Sequence, residues 1–129
     1  MNLAILHSDV QKFISANLKT EITKLILKGS PFEKVSIQEL ANQIVAKQKS
    51  EKKLPTWFST ESIYYPAKIS IEQTSSEVTA AHKLTLISGD SVIDITGGFG
   101  IDAHAFSKQF KKVVHCEIND QLSEIVTHN

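Results

Sequence analysis

The chain has 129 residues, 41% of them hydrophobic, with 14 lysines balancing 14 acids and no arginine. That composition suits one ordinary core and excludes a disordered chain, while a single cysteine excludes a disulfide framework and points to a reducing compartment, the cytoplasm by default. Without arginine no bidentate fork to phosphate or guanine is available, and Leu3, Ala4, Ile5 and Leu6 carry neither the basic flank of a signal peptide nor the length of a membrane span.

From Ser8 onward, Val10, Phe13, Ile14, Leu18, Ile22, Leu25 and Ile26 fall on one helical face, and Ser8 with Gln11 has the form of a capping box. One helix or two fits, because Asn17 to Thr20 could break the pattern; Gly29 is a C-terminal stop. Ser30-Pro31 looks like an N-cap with proline at the first helical position, starting a short turn through Phe32 and Val35. Ser36 and Glu39 form a second capping box, ahead of Ile37, Leu40, Ala41, Ile44 and Val45 at the spacing of one apolar stripe. Residues 1–53 therefore read as a helical accessory module. Charge is uneven, with nine lysines against five acids through Lys53 and five against nine beyond it. Lys47, Lys49, Lys52 and Lys53 crowd the end of the last helix, where cations suit the helix dipole and a solvated surface; the sharper reading makes them phosphate contacts to an RNA partner.

Leu54-Pro55-Thr56-Trp57 reads as the linker to a second unit, 54–129. Trp57, Phe58, Tyr64 and Tyr65 then lie within ten residues without helical periodicity, as aromatics do when they anchor a loop to a core; Trp57 and Phe58 are also candidates to stack on a base. The polar stretch Gln73 to Glu77 leads into a helix carrying Val78, Ala81, His82 and Leu84 to Ile87, with Ser75 or Ser76 as N-cap. Such a helix lays its polar start beside whatever follows the next strand.

Val92, Ile93 and Ile95 form a short β-branched run between Ser88-Gly89-Asp90 and three glycines, predicting a buried strand. Gly97, Gly98 and Gly100 then let backbone N–H groups approach a ligand that a Cβ would keep away, and Ile101, Ala105 and Phe106 recur at helical spacing. Lys112 to Glu117 reads as a second strand ending in an acid, about twenty residues beyond the glycines, where a nucleotide-binding βαβ unit presents a carboxylate to ribose hydroxyls. Asn119 to Asn129 begins another helix on Leu122, Ile125 and Val126. Two strands do not complete a doubly wound sheet, so the chain reads as an N-terminal piece of a longer α/β enzyme, whose unpaired edges favour self-association. His7, His82, His104, His115 and His128 share no metal-ligand spacing, and strand alternation sends His115 and Cys116 to opposite faces; neither a zinc site nor a Cys–His nucleophile is expected. Asp102 suits a helix start electrostatically whether or not it touches a ligand.

Asp94-Ile95-Thr96-Gly97-Gly98-Phe99-Gly100-Ile101-Asp102 resembles motif I of class I S-adenosylmethionine (SAM) methyltransferases, and Glu117 matches the motif II acid. The D-x-T-x-G-x-G-x-D form is similar to that of small-subunit rRNA guanine-N2 methyltransferases, while Leu54-Pro55-x-Trp57 and Glu72-Gln73-x-Ser75-Ser76-Glu77 resemble bacterial methyltransferases with a THUMP-like domain. The resemblance covers about Leu54 to Asn129. It implies an α/β fold, an all-helical module followed by the first βαβ part of a Rossmann-like sheet, and SAM as cofactor. It also implies a cofactor-binding set of Asp94 under the methionine end, Thr96, Gly97, Gly98, Phe99 and Gly100 in the turn, Glu117 on the ribose, and Gln73, Ser75 and Ser76 along the methionine side. Thr96 stands where the usual G-x-G-x-G has its first glycine, which the narrower family tolerates. The motif IV segment that holds the target amine is absent from the chain, so no catalytic residue is expected within it.

A rival reading is a nicotinamide-dependent oxidoreductase, since Gly98-Phe99-Gly100-Ile101-Asp102-Ala103 formally fits G-x-G-x-x-A. Asp94 discriminates between them: dinucleotide folds run an apolar strand straight into the glycines, whereas an acid at the strand end suits a cofactor bearing an ammonium group. A non-enzymatic helical interaction module is the third reading.

Overall fold

A computed structural model describes all 129 residues, Met1–Asn129. After a 3₁₀ turn at Leu3–Leu6 come α1 (Ser8–Ala16), α2 (Ile22–Lys28), α3 (Ile37–Lys53), α4 (Pro55–Ser59), α5 (Lys68–Gln73) and α6 (Glu77–Leu84). These lead to a β–α–β unit of β1 (Ser91–Asp94), α7 (Ile101–Ser107) and β2 (Lys112–His115), followed by α8 (Asp120–His128). The two strands are parallel, with Val92 opposite Val113, Ile93 opposite Val114 and Asp94 opposite His115. No helix is long and apolar enough to cross a membrane.

Local signals account for most element starts. The capping box before α3 forms as expected: the Ser36 hydroxyl accepts from the Glu39 N–H, and the Glu39 carboxylate accepts from the Ser36 N–H at 2.8 Å. The one before α1 does not form. His7 holds the cap position, Ser8 is already helical, and Gln11 turns back to donate to the Ile5 carbonyl at 2.8 Å. The long first pattern resolves into two helices. Ser30-Pro31 starts none: Ser30 instead closes a side-chain turn, accepting from the Phe32 N–H and donating to the Val35 carbonyl. At the start of α6 it is Ser76 that caps, accepting from the Thr79 N–H at 3.0 Å. That helix buries Ala80 and leaves Val78 81% exposed, so its apolar face is not the one expected, and it ends at Leu84 rather than reaching Ile87.

Two hydrophobic cores share α3. Its N-terminal half packs Leu40 and Ile44 with Ile5, Val10, Ile14, Leu25 and Val35, and its C-terminal half sends Ala46 into a cluster with Leu54, Trp57, Ile71, Phe99, Ile101 and Ile125. Each large aliphatic side chain so buried contributes about 1.5–3 kcal/mol. Because α3 is covered on two sides, its buried arc is wider than the stripe expected and takes in Gln43, Lys47 and Ser50. Gln43 is paired at both ends of its amide, which donates to the Tyr65 carbonyl at 2.7 Å and accepts from the Tyr65 N–H at 2.9 Å. Leu54 to Trp57 is no linker. Pro55 opens α4 at its first position, and Leu54 and Trp57 are core residues.

The strands differ from the expected buried run. Ile93 is 58% exposed, Ile95 75% and Val114 37%, because alternation puts Ile93 and Val114 on a sheet face that no helix of this chain covers. The residues of α7 behave as the spacing requires, with Ile101, Ala105 and Phe106 buried.

Candidate functional site

The end of β1 is built around Asp94, which is 9% exposed. Its Oδ1 accepts from the Thr96 N–H at 3.0 Å and lies 3.4 Å from the Thr96 hydroxyl, a side-chain turn that bends the chain off the strand. Its Oδ2 is buried with no hydrogen-bond partner, an arrangement that costs free energy unless a polar group meets it. Beyond the turn the Cys116 N–H donates to the Asp94 carbonyl at 2.8 Å and the Gly97 N–H to the Cys116 carbonyl at 2.9 Å, so pairing with the second strand continues into the glycines.

The glycines have different reasons to be glycine. A Cβ on Gly97 would overlap the His115 imidazole. Gly98 has φ +53° and, where a Cβ would stand, only an ordinary contact with the Thr96 carbonyl oxygen at 3.7 Å, whereas Gly100, at φ +81°, caps α7 under the Val126 side chain. Glu117 completes this wall: Oε2 accepts from the Gly98 N–H and Oε1 from the Asn119 N–H, both at 2.8 Å. Each carboxylate oxygen keeps a further lone pair for hydroxyl donors.

The opposite wall comes from the α5–α6 connection. Lys83 donates to Asp102 Oδ2 at 2.7 Å and to the Ser75 hydroxyl at 2.8 Å, and Ser75 donates to the same Asp102 oxygen at 2.9 Å. Asp102 Oδ1 is buried without a partner. Between the walls lies a cleft of ≈ 730 Å³, within the size range of small-molecule sites.

Of the residues singled out from sequence, Gln73, Ser75, Thr96, Gly97, Gly98 and Glu117 line this cleft. Four others do not. Asp94 stands one hydrogen bond behind Thr96, Gly100 lies at the foot of α7, and Ser76 is occupied as a helix cap. Phe99 is 2% exposed and packs in the core near Trp57 and Tyr65, because the turn points its side chain inward. Lys83 was missed. It lies seven residues beyond the Ser76 cap, two turns along one helix face, and helical side chains lean toward the N-terminus, so the spacing carried the signal.

The four lysines of α3 do not form one solvated patch. Lys53 donates to the carbonyls of Ile71 and Glu72 at 2.9 and 2.8 Å, and Lys49 lies 3.7 Å from the Glu72 carboxylate. Lys47 is buried, which leaves only Lys52 exposed and without an ion-pair or hydrogen-bond partner. Trp57 is a core anchor, 8% exposed, rather than a stacking platform.

No protein-family model and no curated protein matches this chain. Among solved structures, it is similar to the crystal structure of a "putative methyltransferase" from Porphyromonas gingivalis W83, with 28% sequence identity and a TM-score of 0.80. The match covers 98% of this chain and 31% of that one, so the chain spans about a third of its neighbour's length. The chain thus shares the fold of part of a protein described as a methyltransferase.

Proposed function

We propose that the cleft binds S-adenosylmethionine and that this chain forms the cofactor-binding start of a Rossmann-like, SAM-dependent RNA methyltransferase together with a helical accessory module. One observation carries the reading: the carboxylates of Glu117 and Asp102 flank the glycine turn, Asp94 stands behind it, and the one ammonium on the walls, Lys83, is already paired with Asp102. An anionic cleft favours a ligand with a cationic sulfonium and ammonium and opposes the pyrophosphate of a dinucleotide.

The residues fit that ligand. Glu117 offers its remaining lone pairs to a pair of ribose hydroxyls, and Gly98 leaves room for close approach. The orphaned oxygen of Asp102, a cleft residue, is an acceptor for an ammonium, and Lys83 keeps a third proton to donate to a carboxylate. When bound, the cofactor supplies an electrophilic methyl group. An RNA base is proposed as acceptor from the resemblance to rRNA guanine-N2 methyltransferases, and the residues that orient it belong to a motif this chain does not contain. Calorimetric titration of the intact protein with S-adenosylhomocysteine and NAD in parallel tests the reading. Binding of S-adenosylhomocysteine alone is the expected result; binding of NAD alone, or of neither, overturns it.

A further inference from the structure

A second cavity, of ≈ 320 Å³, lies away from the cleft between α1 and the segment that follows α4. Lys47 reaches into it from α3 although the residue is only 9% exposed. Its ammonium has three protons to place, yet its one hydrogen bond is to the neutral Ser15 hydroxyl at 3.3 Å, and no carboxylate comes within ion-pairing distance. The Phe58 ring centroid lies 5.8 Å from the nitrogen, as a further cavity wall. Burial holds this ammonium below the usual lysine range, opposed by the charge of Glu61, which also lines the cavity.

Lysines are rarely this buried without an acid, because removing a lone charge from water costs more than one hydroxyl returns. A second lysine, Lys12, lines the same cavity, so two ammonium groups face one carboxylate. Hydroxyls complete the lining. Ser59 and Thr60 donate to carbonyls of α4, whereas Ser8, Ser15 and Ser62 have no such engagement. Ser62 is also the chain's one non-glycine residue with positive φ, at 60°, held there at the cavity edge.

We infer that this cavity binds a phosphoryl group, with Lys47 and Lys12 as its cationic contacts and the free serine hydroxyls as neutral donors. The site is separate from the cofactor cleft and does not depend on the function proposed for that cleft. A phosphate would give Lys47 the anion it lacks, through charge-assisted hydrogen bonds in a partly desolvated setting. The same chemistry is offered by a free phosphate monoester and by the phosphodiester of a single-stranded RNA.

The test is titration of the intact protein with uridine 5′-monophosphate and separately with an oligouridylate octamer at low ionic strength. Saturable binding of at least one probe is expected, weakened about tenfold or more by Lys47→Met and by Lys12→Met, and falling as salt rises. Loss confined to the octamer assigns the site to an RNA backbone, loss confined to the monophosphate assigns it to a monoester, and equal loss for both assigns it to the phosphoryl group common to the two. Lys12 is exposed, so Lys12→Met remains a fair test should Lys47→Met disturb the packing of α3. Binding of neither probe, or binding unaltered in both variants, overturns the inference.

Discussion

The carboxylate of Glu117 accepts a hydrogen bond from the backbone N–H of Gly98 at 2.8 Å, across nineteen residues of sequence. The acid that ends one strand segment thus touches the turn that ends the other. Glu117→Ala removes a charged acceptor whose hydrogen bonds are each worth about 1.5–3 kcal/mol, so it should weaken S-adenosylhomocysteine binding to the intact protein about tenfold or more. Calorimetry reads the change; an unaltered Kd would remove Glu117 from the site.

Gly97 and His115 form a second such pair, in which the imidazole occupies the place of the missing side chain. Gly97→Ala should destabilise the fold by about 1–3 kcal/mol through overpacking alone, since this glycine does not need a positive φ. His115→Ala in the same chain should restore much of that loss. Urea denaturation of the two single variants and the double variant closes the cycle, and additive losses would count against the overlap.

His104 lies edge-on to Trp57, with ring centroids 4.9 Å apart. Desolvation, helped by Lys108 and opposed by Glu77, holds its pKa below the ordinary 6.5. The unfolded chain therefore binds the proton more readily than the folded one. Stability from this residue is complete above about pH 6.5 and is lost as pH falls through that value toward the lower folded pKa. His104→Gln should flatten this part of the pH dependence of urea midpoints between pH 7.5 and 5, relative to the unsubstituted protein.

The Asn2 side chain donates to Glu39 at 2.9 Å, so the N-terminal 3₁₀ turn is tied to the capping box of α3. The Asn2 amide first, then the Ser36 N–H, hold the Glu39 carboxyl below the usual range. Ser36→Ala should cost about 1 kcal/mol as a lost cap. Glu39→Ala should additionally loosen the first residues, seen as faster amide exchange at Ala4 and Ile5.

Much of the architecture was legible because it rests on short-range chemistry. The cap at Ser36, the strand–turn–helix from Ser91 to Ser107 and the second strand ending near Glu117 follow from spacing and from what glycine permits, and the structure reproduces them. Thr96, Gly98 and Glu117 come together on one cleft as the βαβ pattern implies, since a parallel pair must bring the ends of its strands side by side.

What tertiary structure alone decided is which side chains face which neighbour. Phe99 sits among the glycines of the turn in sequence but points into the core. Lys47 and Lys53 belong to one charge run, yet one is enclosed beside Phe58 and the other is consumed by the carbonyls at the end of α5. Asp102 could be read as a helix-start charge until Lys83 of α6 and Ser75 of the α5–α6 connection arrived on it. Composition and periodicity assign each residue to an element; whether a face is covered depends on contacts between residues far apart in the chain, and for α3, packed on two sides at once, those contacts set burial against the local pattern of charge.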